Sequence, residues 1–132
     1  MVNDRVGDFI IRLQNAAKIG TREVSMPYST HLFAIAGKLR ELGFLTQVKA
    51  SEETEGKRTL TVALAYNERG LAKLRGVKRV SSPGRRLYTP SREAHSVKGG
   101  TGARIISSPS GIISDREARR SRIGGEALFD IW

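Results

Sequence analysis

Residues 105–120 read IISSPSGIISDREARR. Two isoleucine pairs flank Ser-Ser-Pro-Ser-Gly, whose proline and glycine suit a tight turn, and the second pair runs into charged residues at helical spacing. Ser114 and Glu117 stand in the S-x-x-E spacing of a capping box, where the serine side chain accepts from an orphan amide and the glutamate reaches back. The stretch predicts a strand from Ala103 to Ser107, a turn at Pro109-Ser110-Gly111, a second strand through Ile112-Ile113, and a short helix from Ser114 that Gly124 and Gly125 end. The closing EALFDIW sets Ala127, Phe129 and Ile131 against Leu128 and Trp132, a final strand.

Upstream, GVKRVSSPGRRLY at 76–88 reads as strand, Pro-Gly turn and short strand, an antiparallel ribbon with cations on both faces. TPSREAHSVKGGT at 89–101 reads as a loop. Nearer the start the period changes to that of helices. Val6, Phe9, Ile10, Leu13 and Ala17 predict a first helix, capped by Asn3 or Asp4 and ending near Gly20. A short strand through Val24 to Met26 is stopped by Pro27. Ser29 or Thr30 opens a second helix with the stripe Leu32, Ile35, Ala36, Leu39 and Leu42, closed by Gly43. Phe44 to Lys49 and RTLTVALAY at 58–66 are strands joined by the polar turn ASEETEGK.

The expected fold is therefore α+β. An N-terminal α/β domain over 1–66 runs helix-strand-helix-strand-strand, and a smaller, mostly β C-terminal domain with one short helix covers 67–132. Charge supports the same boundary. Residues 1–66 hold 9 Lys+Arg and 7 Asp+Glu (+2), residues 67–132 hold 14 and 6 (+8), and the two sum to the net +10. So basic a chain attracts polyanions, and the second half would meet them first. Neither a secretory signal nor a membrane span is read in the opening residues, no basic amphipathic helix suggests a membrane surface, and the absence of cysteine suits a reducing compartment, so a cytoplasmic protein is expected.

Catalysis finds little support. Ser-Ser-Pro-Ser-Gly lacks the first glycine of G-x-S-x-G, and His31 and His95 are isolated, so a small serine hydrolase is a weak rival and no catalytic residue is assigned. With no cysteine and two separate histidines, neither metal nor cofactor is expected. Gly99-Gly100-Thr101-Gly102 lacks the phosphate-loop pattern. A sequence-specific DNA-binding module is the other rival, without helix-turn-helix or zinc spacing behind it. Two segments suit RNA better. Lys78, Arg79, Ser81, Pro83, Gly84, Arg85, Arg86 and Tyr88 combine cations, hydroxyls and an aromatic ring. Ser107, Ser108 and Ser110 offer short hydroxyls on a turn whose Gly111 lets backbone approach a ribose edge; an ordinary serine-rich turn reads this segment equally well, while a solvated charged hairpin is the lesser reading of the basic one.

Taken in order, S-S-P-S-G-I-I-S-D-R-E-A-R from Ser107 to Arg119 and I-G-G-E from Ile123 to Glu126 closely resemble the C-terminal signature of the bacterial small-subunit (30S) ribosomal protein eight family. That signature runs strand, S-T-S-K-G, apolar pair, T-D-R-E-A-R, G-G-E, apolar strand. K-R-V-S-S-P-G-R-R-L-Y from Lys78 resembles the family's basic hairpin, and D-x-x-x-D from Asp4 with R-x-Q-N-A from Arg12 resembles its first helix. Pro109 and Ser110 stand where the family has serine and lysine, Arg5 where proline is usual, and His31 where lysine is frequent.

The resemblance implies the two-domain fold, with the N-terminal domain packed on the smaller one. It implies direct binding to the central domain of small-subunit ribosomal RNA without catalysis, and assembly beside neighbouring small-subunit proteins. Some members also bind their own operon's messenger RNA and repress its translation. The implied contacts are Ser107, Ser108, Gly124, Gly125 and Glu126, with Asn3, Asp4, Arg12, Asn15 and Thr30 from the two helices.

Overall fold

The backbone alternates between helical stripes and strands in the order expected for an α+β protein. The computed structural model describes residues 4–90, 97 and 101–132, so Asn3, His95 and most of the 89–101 loop lie outside the described residues. Its elements are α1 (Arg5–Ile19), β1 (Glu23–Pro27), α2 (Thr30–Glu41), β2 (Leu45–Ala50), β3 (Thr59–Leu64), β4 (Val77–Arg79), β5 (Tyr88–Thr89), β6 (Ala103–Ser108), β7 (Gly111–Ser114), α3 (Asp115–Ser121) and β8 (Gly125–Ile131). None of the helices among the described residues is long and apolar enough to cross a membrane.

Residues 8–75 form one compact unit. Its antiparallel sheet has the order β1-β3-β2, with Val62 of β3 opposite both Val24 and Val48. Leu60, Val62 and Leu64 alternate inward along β3, and Leu32, Ile35, Ala36 and Leu39 form the buried stripe of α2. Ser29 caps α2, its Oγ accepting from the Leu32 amide at 3.1 Å. Leu42, expected in that stripe, is exposed at the helix C-cap, because Gly43 turns the chain away in the left-handed region (φ 92°). On α1, Phe9, Ile10, Leu13 and Ala16 are buried. Asp4 is its N-cap, the carboxylate accepting from the Gly7 amide at 3.0 Å.

This unit extends past residue 66. Asn67 Oδ1 accepts from the amides of Arg69 (2.9 Å) and Leu71 (3.0 Å), and Lys73 N–H then returns to the Ala65 carbonyl (2.9 Å). That asparagine-built turn folds 67–75 back and buries Leu74, so packing divides the chain at Gly76, whereas charge suggests residue 67.

Gly76 onward, with the described residues ahead of Asp8, forms the second unit. Its five-stranded antiparallel sheet runs β4-β8-β6-β7, with β5 also on β8. β8 is the central strand, and Ala127 through Ile131 are all buried rather than alternating between core and solvent. Ile106 of β6, Ile113 of β7 and Ala118 of α3 form a small apolar cluster with Ile123 against it. The capping box is present: Ser114 Oγ accepts from Glu117 N–H at 3.2 Å, and Glu117 Oε1 accepts from Ser114 N–H at 3.2 Å.

Two local expectations change. α3 stops at Arg122, which itself takes the left-handed cap (φ 56°), while Gly125 already belongs to β8. The basic segment is not a ribbon paired with itself. β4 and β5 both pair with β8, Lys78 opposite Asp130 and Tyr88 opposite Glu126; Val80 and Ser81 N–H still donate to the Leu128 carbonyl and Leu87 C=O accepts from Ala127 N–H, so residues 82–86 leave that edge as an excursion. Ser82 and Arg85 exchange two 2.9 Å backbone hydrogen bonds around Pro83-Gly84 at its tip. A long central strand offers more pairing than a two-residue hairpin can offer itself.

Candidate nucleic-acid interface

Strand register alone assembles the candidate surface. Ser107 lies opposite Ile112 of β7 on one side and Glu126 of β8 on the other, and Glu126 lies opposite Tyr88 of β5. Residues directly opposite in a sheet share a face, so Ile112, Ser107, Glu126 and Tyr88 form one row across four strands. Tyr88 is 69 % exposed. Arg86 Nη1 bonds Glu126 Oε2 at 3.0 Å, which places a cation over the same row.

The turn beside the row is held by its own side chain. Ser108 Oγ accepts from Ser110 N–H at 3.1 Å and donates to the Gly111 carbonyl at 2.8 Å, while Gly111 takes a φ of 110° that other residues rarely adopt. Ser107 differs: its half-exposed hydroxyl makes no hydrogen bond among the described residues. Gly125 is buried against β6, where an added Cβ would run into the backbone carbonyl of Ser107. Its lack of a side chain lets the start of β8 lie close against β6.

The excursion supplies cations of two kinds. Lys78, Arg85 and Arg86 are exposed. Arg79 is engaged inside the fold: Nη1 and Nη2 form a two-pronged pair with the Asp4 carboxylate, and Nε donates to the Ser81 carbonyl. Ser81 is 2 % exposed and closes the excursion, its Oγ accepting from Leu87 N–H at 2.9 Å. The Arg79 guanidinium, with help from the Gly7 amide and Arg86, holds the Asp4 carboxyl below the usual carboxylate range against the opposing effect of burial.

Of the residues read from sequence, the structure brings together Ser107, Ser108, Ser110, Gly111, Gly125, Glu126, Arg86 and Tyr88 at one end of the five-stranded sheet. Asp4 meets Arg79. Arg12, Asn15 and Thr30 belong to the other unit, where Arg12 bonds Asp8 (2.9 Å) and the Ser25 carbonyl (3.0 Å). There Arg12, Ser25, Lys57 and Arg58 line an open cleft of about 650 Å³, with the Arg58 guanidinium 4.2 Å above the Tyr28 ring.

Sequence reasoning reached the Asp115–Arg119 pair, four residues apart on one helix, but missed the pairs that tie arginines down across strands. Arg104 bonds Asp130 at 2.7 and 3.1 Å, and this pairing raises its pKa further despite burial. Asp115, 4 % exposed, accepts from Arg104 N–H and Arg119 Nη1, both at 3.0 Å. The available signal was the rarity of acids in this half. Asp115, Glu126 and Asp130 each hold an arginine.

Known proteins are similar to this chain over nearly its full length. The family model for Ribosomal protein S8 matches residues 4–132. The small ribosomal subunit protein uS8 of Chloroflexus aurantiacus is 38 % identical over 131 residues, covering 99 % of this chain and 98 % of its own. That of Rhodopirellula baltica is 39 % identical over 132 residues, 99 % of each chain. That of Cutibacterium acnes is 37 % identical over 133 residues, covering 99 % and 98 %. Such similarity along both units makes this chain a member of the ribosomal protein S8 family.

Proposed function

We propose that this chain is a structural constituent of the small ribosomal subunit that binds the central domain of its RNA directly and helps assemble the platform beside neighbouring subunit proteins in the cytoplasm. The observation that carries the reading is the register of Ser107, Glu126 and Tyr88 across adjacent strands. A free hydroxyl, a carboxylate and an exposed ring stand side by side, next to a glycine turn and exposed arginines. A wide, shallow RNA minor groove presents ribose hydroxyls and base edges to such groups, and an unstacked base can lie on the tyrosine. Arg85 and Arg86 neutralise phosphates at the margin. An operon messenger that displays the same RNA shape would occupy the same surface and repress its own translation.

Separate Ser107→Ala and Ser108→Ala variants test the reading by equilibrium binding to a helical fragment of the central domain. Ser107→Ala should weaken binding by about 1 kcal/mol, one lost hydrogen bond, with stability unchanged. Ser108→Ala should loosen the turn and cost stability as well. Wild-type affinity in a folded Ser107→Ala protein would count against contact through this row.

A further inference from the structure

Arg79 and Asp4 look, from sequence, like two more groups for RNA. Their geometry says otherwise. The Arg79 guanidinium faces both oxygens of Asp4 with two N–H groups and the Ser81 carbonyl with a third, so most of its fork is committed inside the unit. Its side chain is 26 % exposed. Asp4 is committed too, as the α1 cap, and the fork lies so close that a Cβ on Gly7 would collide with Arg79 and come within 2.5 Å of Asp4 Oδ2. The carbonyl that Arg79 holds belongs to the residue whose hydroxyl bonds both Leu87 N–H and Leu87 C=O. A chain of contacts thus runs from Asp4 through Arg79 to Ser81 and across to Leu87, bracing the base of the 82–86 excursion where Ser81 N–H and Leu87 C=O also bond β8.

We infer that Asp4 and Arg79 are positioning residues for RNA binding: together they hold the base of the excursion so that Arg85, Arg86 and Tyr88 meet the RNA, and neither touches a phosphate. The inference rests on the RNA-binding reading above. A planar fork is needed for it, because a lysine ammonium cannot span a carboxylate and a carbonyl in the same plane. It also reverses a simple electrostatic expectation. Asp4→Asn raises the net charge from +10 to +11 and, by charge alone, would tighten binding to a polyanion.

The test is binding of the full chain to the central-domain RNA fragment across a salt series. Asp4→Asn and Arg79→Lys should each weaken binding about three- to tenfold, as expected for the loss of one or two interactions. Their log K against log salt slope should stay that of the wild type, whereas Arg85→Ala should lower it by about one. The double variant should bind no more weakly than either single, and Asp4→Glu, which returns a carboxylate to the fork, should recover affinity. Hydrogen exchange at the Arg85 and Leu87 amides should speed up in Arg79→Lys, a variant that leaves the helix cap in place. Unchanged or tighter binding by Asp4→Asn, or a reduced slope in Arg79→Lys, would overturn the inference while the RNA-binding reading stands. Failure of the wild type to bind would overturn both.

Discussion

The two sheets hold themselves together by different means. In residues 8–75 the buried set is apolar: Phe9, Leu13, Ile35, Leu39, Leu60 and Val62 are at most fractionally exposed, and the ion pairs Arg12–Asp8 and Lys38–Glu41 each have an exposed partner. In the unit from Gly76 onward, Ser81, Ser114, Asp115 and Asp130 are buried among the apolar residues. A single short helix covers little of that sheet, so hydrogen-bonded polar groups do part of the joining: Asp115 links α3 to β6, Arg104 links β6 to β8, and Ser81 closes the excursion. Net charge therefore overstates the cations available to a partner. Of the cations that make this half basic, Arg79, Arg86, Arg104 and Arg119 are paired with carboxylates, whereas Lys78 and Arg85 are exposed with no such partner among the described residues.

The sharpest way to break this contrast is one deletion in each unit. Ile35→Ala removes a fully buried side chain and should destabilise by about 3 kcal/mol, the usual cost of a buried cavity. Asp115→Ala should cost about as much, ~3 kcal/mol, because it strands the Arg104 amide and uncouples Arg119. Urea unfolding measures both. A loss below about 1 kcal/mol for Asp115→Ala would mean that apolar packing suffices in both units.

A smaller effect concerns pH. The Asp4 carboxyl titrates below its unfolded value, so its contribution is complete above roughly pH 4 and is lost as pH falls through the depressed folded value. Stability measured from pH 6 downward should show wild type and Asp4→Asn converging below about pH 4, with the wild type more stable above it. Parallel curves across that range would contradict the pairing. Least in size is Arg122→Gly: relieving a left-handed arginine should add about 0.5–1 kcal/mol, read as a higher unfolding midpoint.

Local signals were legible and distant ones were not. The capping box at Ser114 and Glu117, the Ser29 cap and the order of all elements follow from patterns a few residues long, and the structure matches them. The basic segment was misread because Pro83-Gly84 announces a turn, while nothing in its own residues shows that β8 pairs with both arms. Gly124-Gly125 drew the helix end two residues too far because a glycine pair is a stronger signal than an arginine in a left-handed conformation. The Asp4–Arg79 pair joins residues 75 apart, beyond the reach of any spacing argument. At the candidate surface, the Ser107–Gly111 turn and Glu126 were readable as motifs. Which hydroxyls stay free, Ser107, and which are consumed, Ser81 and Ser108, depends on register and burial.

The most direct measurement is equilibrium binding of the intact protein to a helical central-domain fragment of its own small-subunit RNA, across a salt series and against unrelated structured RNA. Selective binding with a log K against log salt slope near −4 to −5, about six phosphates neutralised, is the expected result. Equal, weak binding to every RNA, or a slope near zero, would contradict recognition through this surface.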